Sequence, residues 1–561
     1  RVTVCGIHDN QIHILRHKRL HARLEIRPDA YCSAHQQSTL RIMGWGREIV
    51  LLLGVHANVV RKREESPGMI MCYVKQIMTW GLRMEFSTDN LKSLAQQLAE
   101  IVSAELMNAE EDVTVRDLET GLRRRLQEMG RLALGEVLSQ ADVDPARNMA
   151  CDCGGVLQYQ RRRCAKVLRV FGWVEYQRAY YAGCDCGRGK APLDEKLGLA
   201  PGQVTAGLAT LLGMAGVELA FDYSSSWLEP FLLFEVSENT IRKETQAFGE
   251  LQIAREAALI EQSHNTTYLQ ERLRTQTEPP TRVYGALDGA HVRIEEREQR
   301  AEAENPPESG QNQPVDAEKP PAEEDKWREM KVGCWYTVEA VPPSQQRKRH
   351  RKKEEIGQQA LRARDMHYFC DIKAAAQFEP LFWATGCQAR VDLAQEVVFV
   401  CDGAKWIWNL VERNYPHAVQ IVDWHHAEER LEKVARDALT GEHARSWLKD
   451  TRDALWQGDT RFVVAACEKL ADHSPAAQEA LTYFRNNVQR MRSDEYRAQG
   501  YMIGSGTVES ACKQIVTRRL KCSGAQWTLQ GAIQTAKARA ARLSGEWNLL
   551  SSLRDRLPLA V

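Results

Sequence analysis

The sequence lacks any hydrophobic run long enough to cross a membrane, and it lacks any surplus of charge. The longest uninterrupted apolar stretch near its start is Ile49–Val55, far short of the ~20 apolar residues that a spanning helix needs. No basic segment leads into an apolar core and a small-residue cleavage site, so no secretory signal is predicted. Basic and acidic residues number 75 each, so any nucleic-acid surface must come from local clustering. We expect a cytoplasmic protein without a membrane partner.

Cysteine is plentiful, with 15 residues in a chain of 561. A large chain without an export signal favours reduced thiols or a metal site over a disulfide scaffold. Two pairs stand out: Cys151 and Cys153 in "CDCGG", and Cys184 and Cys186 in "CDCGRG". Two such pairs on glycine-containing turns, joined by a strand-like segment, predict a zinc ribbon in which four thiolates hold a structural Zn²⁺. Only one residue separates the cysteines of each pair, instead of the usual two, and four free thiols are the alternative.

Hydrophobic periodicity divides the rest of the chain. Residues 1–83 show no sustained period and begin with Arg rather than Met, so we expect an irregular segment that need not be native. Ser237 is a good N-cap for the helix that follows, and Arg242 and Lys243 fall in its first turns. This layout predicts the recognition helix of a helix-turn-helix unit. A helix that only packs is the alternative.

From Arg282 the predicted elements run as three strands, a helix, a strand, a helix and a strand, followed by helices. That order predicts an α/β core with a mixed sheet. An acidic, proline-rich stretch between the first two strands is predicted to be disordered. The predicted regions are 84–150 (helical), 151–200 (zinc-ribbon-like), 201–275 (helical, with the helix-turn-helix), 276–545 (catalytic, with a disordered insert at 296–325 and a helical insertion at 427–497) and 546–561 (C-terminal tail).

Three acidic residues occupy unusual places in the catalytic region. Asp288 ends the apolar run "VYGAL", Asp402 ends "VVFVC", and Glu509 lies beside the apolar stripe of a helix that follows Gly504 and Gly506. Carboxylates from two strand ends and one helix could converge on a pair of divalent cations. Hard cations prefer oxygen ligands, and two of them together activate a water or a 3′-hydroxyl in phosphoryl transfer. The alternative is three unrelated surface acids.

Four segments carry a family resemblance: "LDGAHV", "VCDGAKWIW", "DWHHAEERL" and "IGSGTVESACKQIVTRRLKCSGAQWT". Together they resemble the Kra-type bacterial insertion-sequence transposases, of the DDE class with a ribonuclease-H-like catalytic core, over roughly residues 90–550. The resemblance implies that Asp288 lies on the first core strand, Asp402 on the fourth and Glu509 on a late helix. It implies that they hold two Mg²⁺ ions, with Mn²⁺ as a substitute. The long interval between Asp402 and Glu509 implies a helical insertion.

The "DWHH" segment resembles a signature of several DDE families, an acidic residue or Cys followed after two residues by His. Here the signature matches Asp423 and His426. A His beside the site could contact the scissile phosphate or orient a metal-bound water. Motif spacing favours His426 over His425 as the residue that points inward. The alternative is that both histidines cap or pack the start of the next helix.

The resemblance implies a transposase that hydrolyses phosphodiester bonds at insertion-sequence ends and joins the freed 3′-hydroxyls to target DNA. Its partner would be double-stranded DNA, bound by a homodimer or larger oligomer. Two alternatives remain open: a ribonuclease-H-like nuclease or resolvase, and a catalytically inactive transposase-derived DNA-binding protein. The predicted DNA contacts are Arg242, Lys243, Lys513, Arg518, Arg519 and Lys521.

Overall fold

The computed structural model divides the chain into two units, Arg1–Ser93 and Leu94–Val561. It describes residues 114–141, 145–275, 278–295, 326–342 and 361–556, together with 96, 99 and 100. All of these belong to the second unit. The predictions for residues 1–83, for most of the first helix after Met84 and for the insert 296–325 therefore lie outside the described residues.

A long helix and a three-stranded sheet form the first part of the described chain. Helix α1 (Val115–Gln140) begins at a capping box in which Thr114 and Asp117 satisfy each other's backbone N–H groups. Strands β1 (Asn148–Ala150), β2 (Val156–Arg169) and β3 (Gly172–Ala182) pair in antiparallel fashion in that order. The ribbon-like module thus begins at Asn148, slightly earlier than the sequence pattern predicts. Leu138 of α1 packs on its sheet.

Five helices follow the ribbon: α2 (Pro192–Leu197), α3 (Ala206–Glu218), α4 (Phe221–Leu232), α5 (Glu238–Ser263) and α6 (Thr266–Thr275). The hydroxyl of Ser237 accepts a hydrogen bond from the Thr240 N–H at 3.3 Å, so the predicted N-cap of α5 is present. Phe248 of α5 and Leu212 of α3 are both buried in one apolar cluster. The basic side chains in the first turns of α5, Arg242 and Lys243, are exposed, whereas Arg255 farther along is mostly buried and pairs with Glu546.

A mixed five-stranded sheet forms the centre of the unit, which confirms the predicted α/β core. Its strands are β4 (Arg282–Arg293), β5 (Trp327–Ala340), β6 (Leu361–Asp371), β7 (Glu396–Cys401) and β8 (Val419–Val422). They lie in the order β6-β5-β4-β7-β8. The first three strands are antiparallel neighbours, whereas β4 with β7 and β7 with β8 are parallel.

The two faces of the sheet bury different residues, as the two-residue period of a strand requires. On β4, Val283 and Leu287 belong to the apolar cluster of one face, and Tyr284 and Ala286 belong to the cluster of the other. Helices α7 (Ala375–Gln388) and α8 (Lys405–Asn414) contribute to the first cluster. By this alternation Asp288 belongs to the face of Tyr284 and Ala286.

Five helices stand between β8 and the segment that carries Glu509, so the helical insertion implied by the resemblance is present. They are α9 (Trp424–Ala438), α10 (Gly441–Trp456), α11 (Thr460–Ala471), α12 (Pro475–Asn487) and α13 (Ser493–Ala498). The chain then forms α14 (Gly506–Cys512), a π-helical turn (Lys513–Thr517), α15 (Arg518–Leu520), α16 (Leu529–Leu543) and α17 (Trp547–Arg556).

Asp288 ends the apolar run of β4 but does not end the strand itself, so it is not a strand-end carboxylate. Strand β4 continues to Arg293, because β5 pairs with it as far as Trp327. The neighbouring parallel strand β7 is shorter and ends at Cys401. Asp288 therefore lies within its own strand, level with the point where the neighbouring strand β7 ends.

Within the described ranges, no helix is both long enough and apolar enough to span a bilayer.

Close packing of β4 against aromatic rings gives a stability prediction. A Cβ added at Gly285 would lie 2.6 Å from the ring of Trp335 and nearer still to Phe399. We expect Gly285→Ala to lower the free energy of unfolding by about 1–3 kcal/mol through overpacking. In urea unfolding, this loss of stability should appear as a lower midpoint concentration of urea, while the slope of the free energy against urea concentration stays unchanged. Gly207→Ala is the control, because nothing lies within 4 Å of that position. An equal response in both variants would contradict the packing explanation.

Candidate functional site

Parallel pairing of β4 and β7 brings two predicted carboxylates to neighbouring positions. The register pairs Tyr284 with Val398 and Gly285 with Phe399, and the same register continued would set Asp288 beside Asp402. Each carboxylate accepts one local backbone hydrogen bond. The Gly289 N–H donates to Asp288 Oδ1 at 2.7 Å, and the Ala404 N–H donates to Asp402 Oδ1 at 3.0 Å. Strand geometry thus orients both side chains.

The electrostatics of Asp288 show that the two carboxylates interact. Burial raises the pKa of Asp288, and the negative charge of Asp402 raises it further. Hydrogen bonds from the Cys512 thiol and the Gly289 N–H oppose this rise, as does the charge of His426. Cys512 lies one turn after Glu509 on α14, so Asp288 also faces the helix that carries the third predicted acid. A cation placed here would relieve the repulsion between the two carboxylates.

Asp423 is the buried centre of a hydrogen-bond network next to these acids. Its side chain is fully buried. Asp423 Oδ1 accepts from the His425 N–H at 2.6 Å, and Oδ2 accepts from the Ser505 N–H at 2.7 Å and from the Ser505 hydroxyl. Burial alone would raise the pKa of Asp423, but hydrogen bonds from His426 and Ser505 outweigh it and lower the pKa to about 2. Asp423 is therefore an ionised structural carboxylate.

His426 connects that network to Glu509. Its Nδ1 lies 3.2 Å from Asp423 Oδ2 and 3.8 Å from Glu509 Oε1. The Ser505 hydroxyl is also within hydrogen-bond distance of Glu509 Oε1, at 3.1 Å. The hydrogen bond with Asp423 raises the pKa of His426 to about 9, burial opposes that rise, and the charges of Glu509 and Asp402 add to it. His426 is thus a cation at neutral pH.

His425 lies outside this arrangement. Its side chain is 57% exposed, and its Nδ1 lies 3.7 Å from Glu428. The structure therefore places the ring of His426, rather than that of His425, beside Asp423 and Glu509.

Near the acidic residues, one group of potential metal ligands lies close together: Asp423, His426 and Glu509. Within the described part of the chain, their ligand atoms lie within 4.8 Å of one another and could hold a metal ion. Asp288 and Asp402 are outside this group. Both oxygens of Asp423 already accept hydrogen bonds, whereas Asp402 and Glu509 each have a carboxylate oxygen to which the structure assigns no hydrogen bond. Oxygen ligands of this kind suit Mg²⁺.

Two residues that the sequence interpretation missed flank Asp402. The hydroxyl of Tyr483, on α12, donates to the Asp402 carbonyl at 2.9 Å. The guanidinium of Arg430 stacks 4.0 Å from the ring centroid of Tyr483. Gly403 has φ +95°, and any Cβ there would lie 2.7 Å from the Tyr483 ring, so this turn requires glycine. Nothing local in the sequence predicts that the insertion returns to this turn.

The four cysteines of the ribbon converge. Their sulfur atoms lie within 4.8 Å of one another, with Cys151 Sγ 3.5 Å from Cys186 Sγ and Cys153 Sγ 3.3 Å from Cys184 Sγ. Tetrahedral zinc with bonds of about 2.3 Å sets its sulfurs about 3.8 Å apart. The cluster therefore fits a zinc ion despite the short spacing within each pair.

One thiol of this cluster has a lower pKa than an ordinary cysteine. A hydrogen bond from the Gly155 backbone N–H and contacts with the other three thiols lower the pKa of Cys153 to about 7.

The predicted DNA contacts fall into two groups. Five of them are exposed: Arg242, Lys243, Lys513 and Arg518 on helical segments, and Lys521 directly after α15.

Arg519 is different, and the prediction that it contacts DNA is wrong. Arg519 is 2% exposed, its Nε donates to the Gly216 carbonyl at 2.7 Å, and its guanidinium stacks on Phe221 and Trp527. It holds α15 against α3 and α4.

Comparison with known proteins adds no identification to this geometry. No protein-family model matches the chain, and no curated protein matches it either.

The cysteine cluster leads to a prediction about zinc. We expect the purified protein to contain a single zinc ion that Cys153→Ser removes, with a lower thermal midpoint because metal binding contributes folding free energy. Metal analysis by mass spectrometry and thermal melting measure both effects. Cys164→Ser is the matched control, since Cys164 is an exposed thiol outside the cluster. Zinc-free wild-type protein, or equal zinc in both variants, would contradict the prediction.

The Asp423–His426 pair leads to a prediction about pH. The pKa of His426 rises from 6.5 to about 9 on folding, so its stabilising effect is complete below pH 6.5 and disappears as the pH rises through 9. Asp423, with its pKa lowered to about 2, stays ionised throughout. With metal chelated, the difference in unfolding free energy between wild type and His426→Gln should shrink between those pH values. Denaturant titrations at several pH values test this.

His425→Gln supplies the control for that experiment, because its ring is exposed and outside the network. It should leave the pH profile unchanged. A wild-type advantage over His426→Gln that grows with pH would exclude the proposed ion pair.

Proposed function

We propose that the protein is a DNA transposase of the DDE class, which cleaves phosphodiester bonds at the ends of an insertion element and transfers the strands to target DNA. One observation carries the proposal. Asp288 lies on β4, and Asp402 directly follows β7, the parallel neighbour of β4; these are the first and fourth strands of the sheet in chain order. Asp288 also faces the helix of Glu509 through Cys512. This is the distribution that the resemblance to Kra-type transposases implies for its three acids, in a ribonuclease-H-like core.

In this proposal Asp288, Asp402 and Glu509 hold Mg²⁺, or Mn²⁺ in its place. The donor set fits, because it offers carboxylate oxygens and a repulsion between acids that a cation would relieve. When bound, a pair of such ions supplies activation of water or of a 3′-hydroxyl and stabilises the leaving oxygen. Asp423 and Ser505 are positioning residues, since they hold His426 and the start of the Glu509 helix in place.

His426 acts in the proposal as a hydrogen-bond donor and not as a general base. With a pKa of about 9 it carries a proton at neutral pH. Its Nδ1 is engaged with Asp423, so Nε2 remains the nitrogen that could donate to a phosphate oxygen. A cation beside the reacting group would stabilise the charge that develops on that phosphate.

Exposed basic residues supply the proposed path for DNA. Lys513, Arg518 and Lys521 continue along the chain from Glu509, and Arg242 and Lys243 occupy the first turns of α5. Phosphate contacts of this kind give affinity that falls with salt concentration. Because transposition joins two element ends, we propose a homodimer or larger assembly on DNA.

The test uses DNA from the sequences that flank the coding region, incubated with the protein and Mg²⁺ or Mn²⁺. We expect cleavage and joining in the wild type. Asp402→Asn should reduce both by about two to three orders of magnitude, because an interaction worth several kcal/mol in the transition state is lost. Gel analysis of labelled strands measures both products. Asp472→Asn, an exposed carboxylate on the helical insertion, is the matched control and should remain active.

The outcomes separate the alternatives. Cleavage without joining would favour a ribonuclease-H-like nuclease or resolvase. DNA binding without cleavage by the wild type would favour an inactive transposase-derived binding protein, and either result would overturn the proposal.

A further inference from the structure

A cavity of about 390 Å³ lies far from the carboxylates, where the ribbon meets the helical region. It is bounded by Leu134 of α1, the end of β2 at Arg169, the turn after α2, the start of α3 and Arg554 of α17. This volume lies within the range of pockets that hold small molecules. Two arginines in one concave site, with no carboxylate among the lining residues, give the cavity a positive character.

Arg169 is the unexplained charge in this cavity. Its side chain is half-buried, and among the described residues its buried Nε has no hydrogen-bond partner. Burial lowers the pKa of Arg169. Buried charged groups are normally paired, because loss of hydration costs several kcal/mol. A guanidinium that lines a cavity and has its Nε buried without a partner is therefore suited to bind an anion.

Arg554 adds a second, partly neutralised guanidinium. Its Nη2 lies 3.1 Å from Glu244 Oε2, whereas its Nε is buried and has no partner. Burial raises the pKa of Glu244, and Arg554 opposes that rise. The carboxylate of Glu244 thus pairs with Arg554 and does not compensate the charge of Arg169.

The first turn of α3 supports the same conclusion. Thr205 is the N-cap of this 13-residue helix, but its hydroxyl makes no capping hydrogen bond. Thr205 and Gly207 both line the cavity. Backbone N–H groups at a helix start attract anions, so this feature adds to the two guanidinium groups without being needed on its own.

We propose that this cavity binds a phosphomonoester group carried by a small molecule. Guanidinium forks bind phosphate oxygens in a bidentate way, and a dianion would compensate both Arg169 and the helix start. A ligand of nucleotide size is compatible with the cavity volume. The site does not depend on the proposed transposase activity, because none of the acids of that activity lines it.

The experiment is calorimetric titration of the full chain with inorganic phosphate and with adenosine monophosphate, at low salt. Wild type should bind both, and Arg169→Gln should weaken binding by about tenfold or more, as expected when hydrogen bonds to a charged group are lost. Arg163→Gln removes the same charge from the same strand, where Arg163 stacks on Tyr180 at the surface, and should bind like wild type. Thermal melting of each variant verifies that it folds.

Two further arms identify the source of the phosphate and separate this proposal from the transposase. A short DNA duplex that displaces adenosine monophosphate in an Arg169-dependent way would assign the cavity to the DNA backbone and overturn the small-molecule proposal. No binding of either probe by wild type, or equal binding by the two arginine variants, would also overturn it. Asp402→Asn should bind both probes normally.

Discussion

The buried carboxylate of Asp423 is the interaction on which the candidate site depends. It lies at the end of β8, where its backbone N–H donates to the Cys401 carbonyl at 2.8 Å, so it is tied to the strand that Asp402 follows. Its side chain binds Ser505, just before the helix of Glu509, and it binds His426. An ionised group without water is tolerated only with several donors, and these donors come from segments far apart in sequence. The charge of Asp423 therefore fixes β8, the start of the helical insertion and the helix that carries Glu509 relative to one another.

The division of roles among the acids follows from their surroundings. Asp423 is fully buried and its oxygens are engaged, so it stabilises the arrangement. The charges of Asp288 and Asp402 repel each other at the point where β7 ends. Glu509 is half exposed and lies beside a protonated His426. Structural and reactive carboxylates are thus separated within one small region. Under the proposed function, this separation lets metal ions and DNA reach the site without disturbing the network that holds it.

Buried arginines show a similar contrast elsewhere in the unit. Arg519 is enclosed by a carbonyl and two aromatic rings, and Arg539 donates to the Gln514 carbonyl. These contacts explain their burial as support for the helices behind the sheet. Arg169 is only half-buried, and among the described residues its buried Nε has no hydrogen-bond partner. The lining of a cavity, rather than the burial of a guanidinium by itself, is what distinguishes Arg169 from these structural arginines.

Periodicity along the chain was sufficient to predict the central strands, helices α1, α3 and α5, the Ser237 cap and the alternating layout of the core, because these features depend on neighbouring residues. The spacing of Asp423 and His426 likewise reflects one helical turn. Tertiary structure alone decided that Tyr483 contacts the turn after Asp402, and that Arg519 is buried by α3 and α4. Burial and pairing depend on segments hundreds of residues away, which a local pattern does not contain.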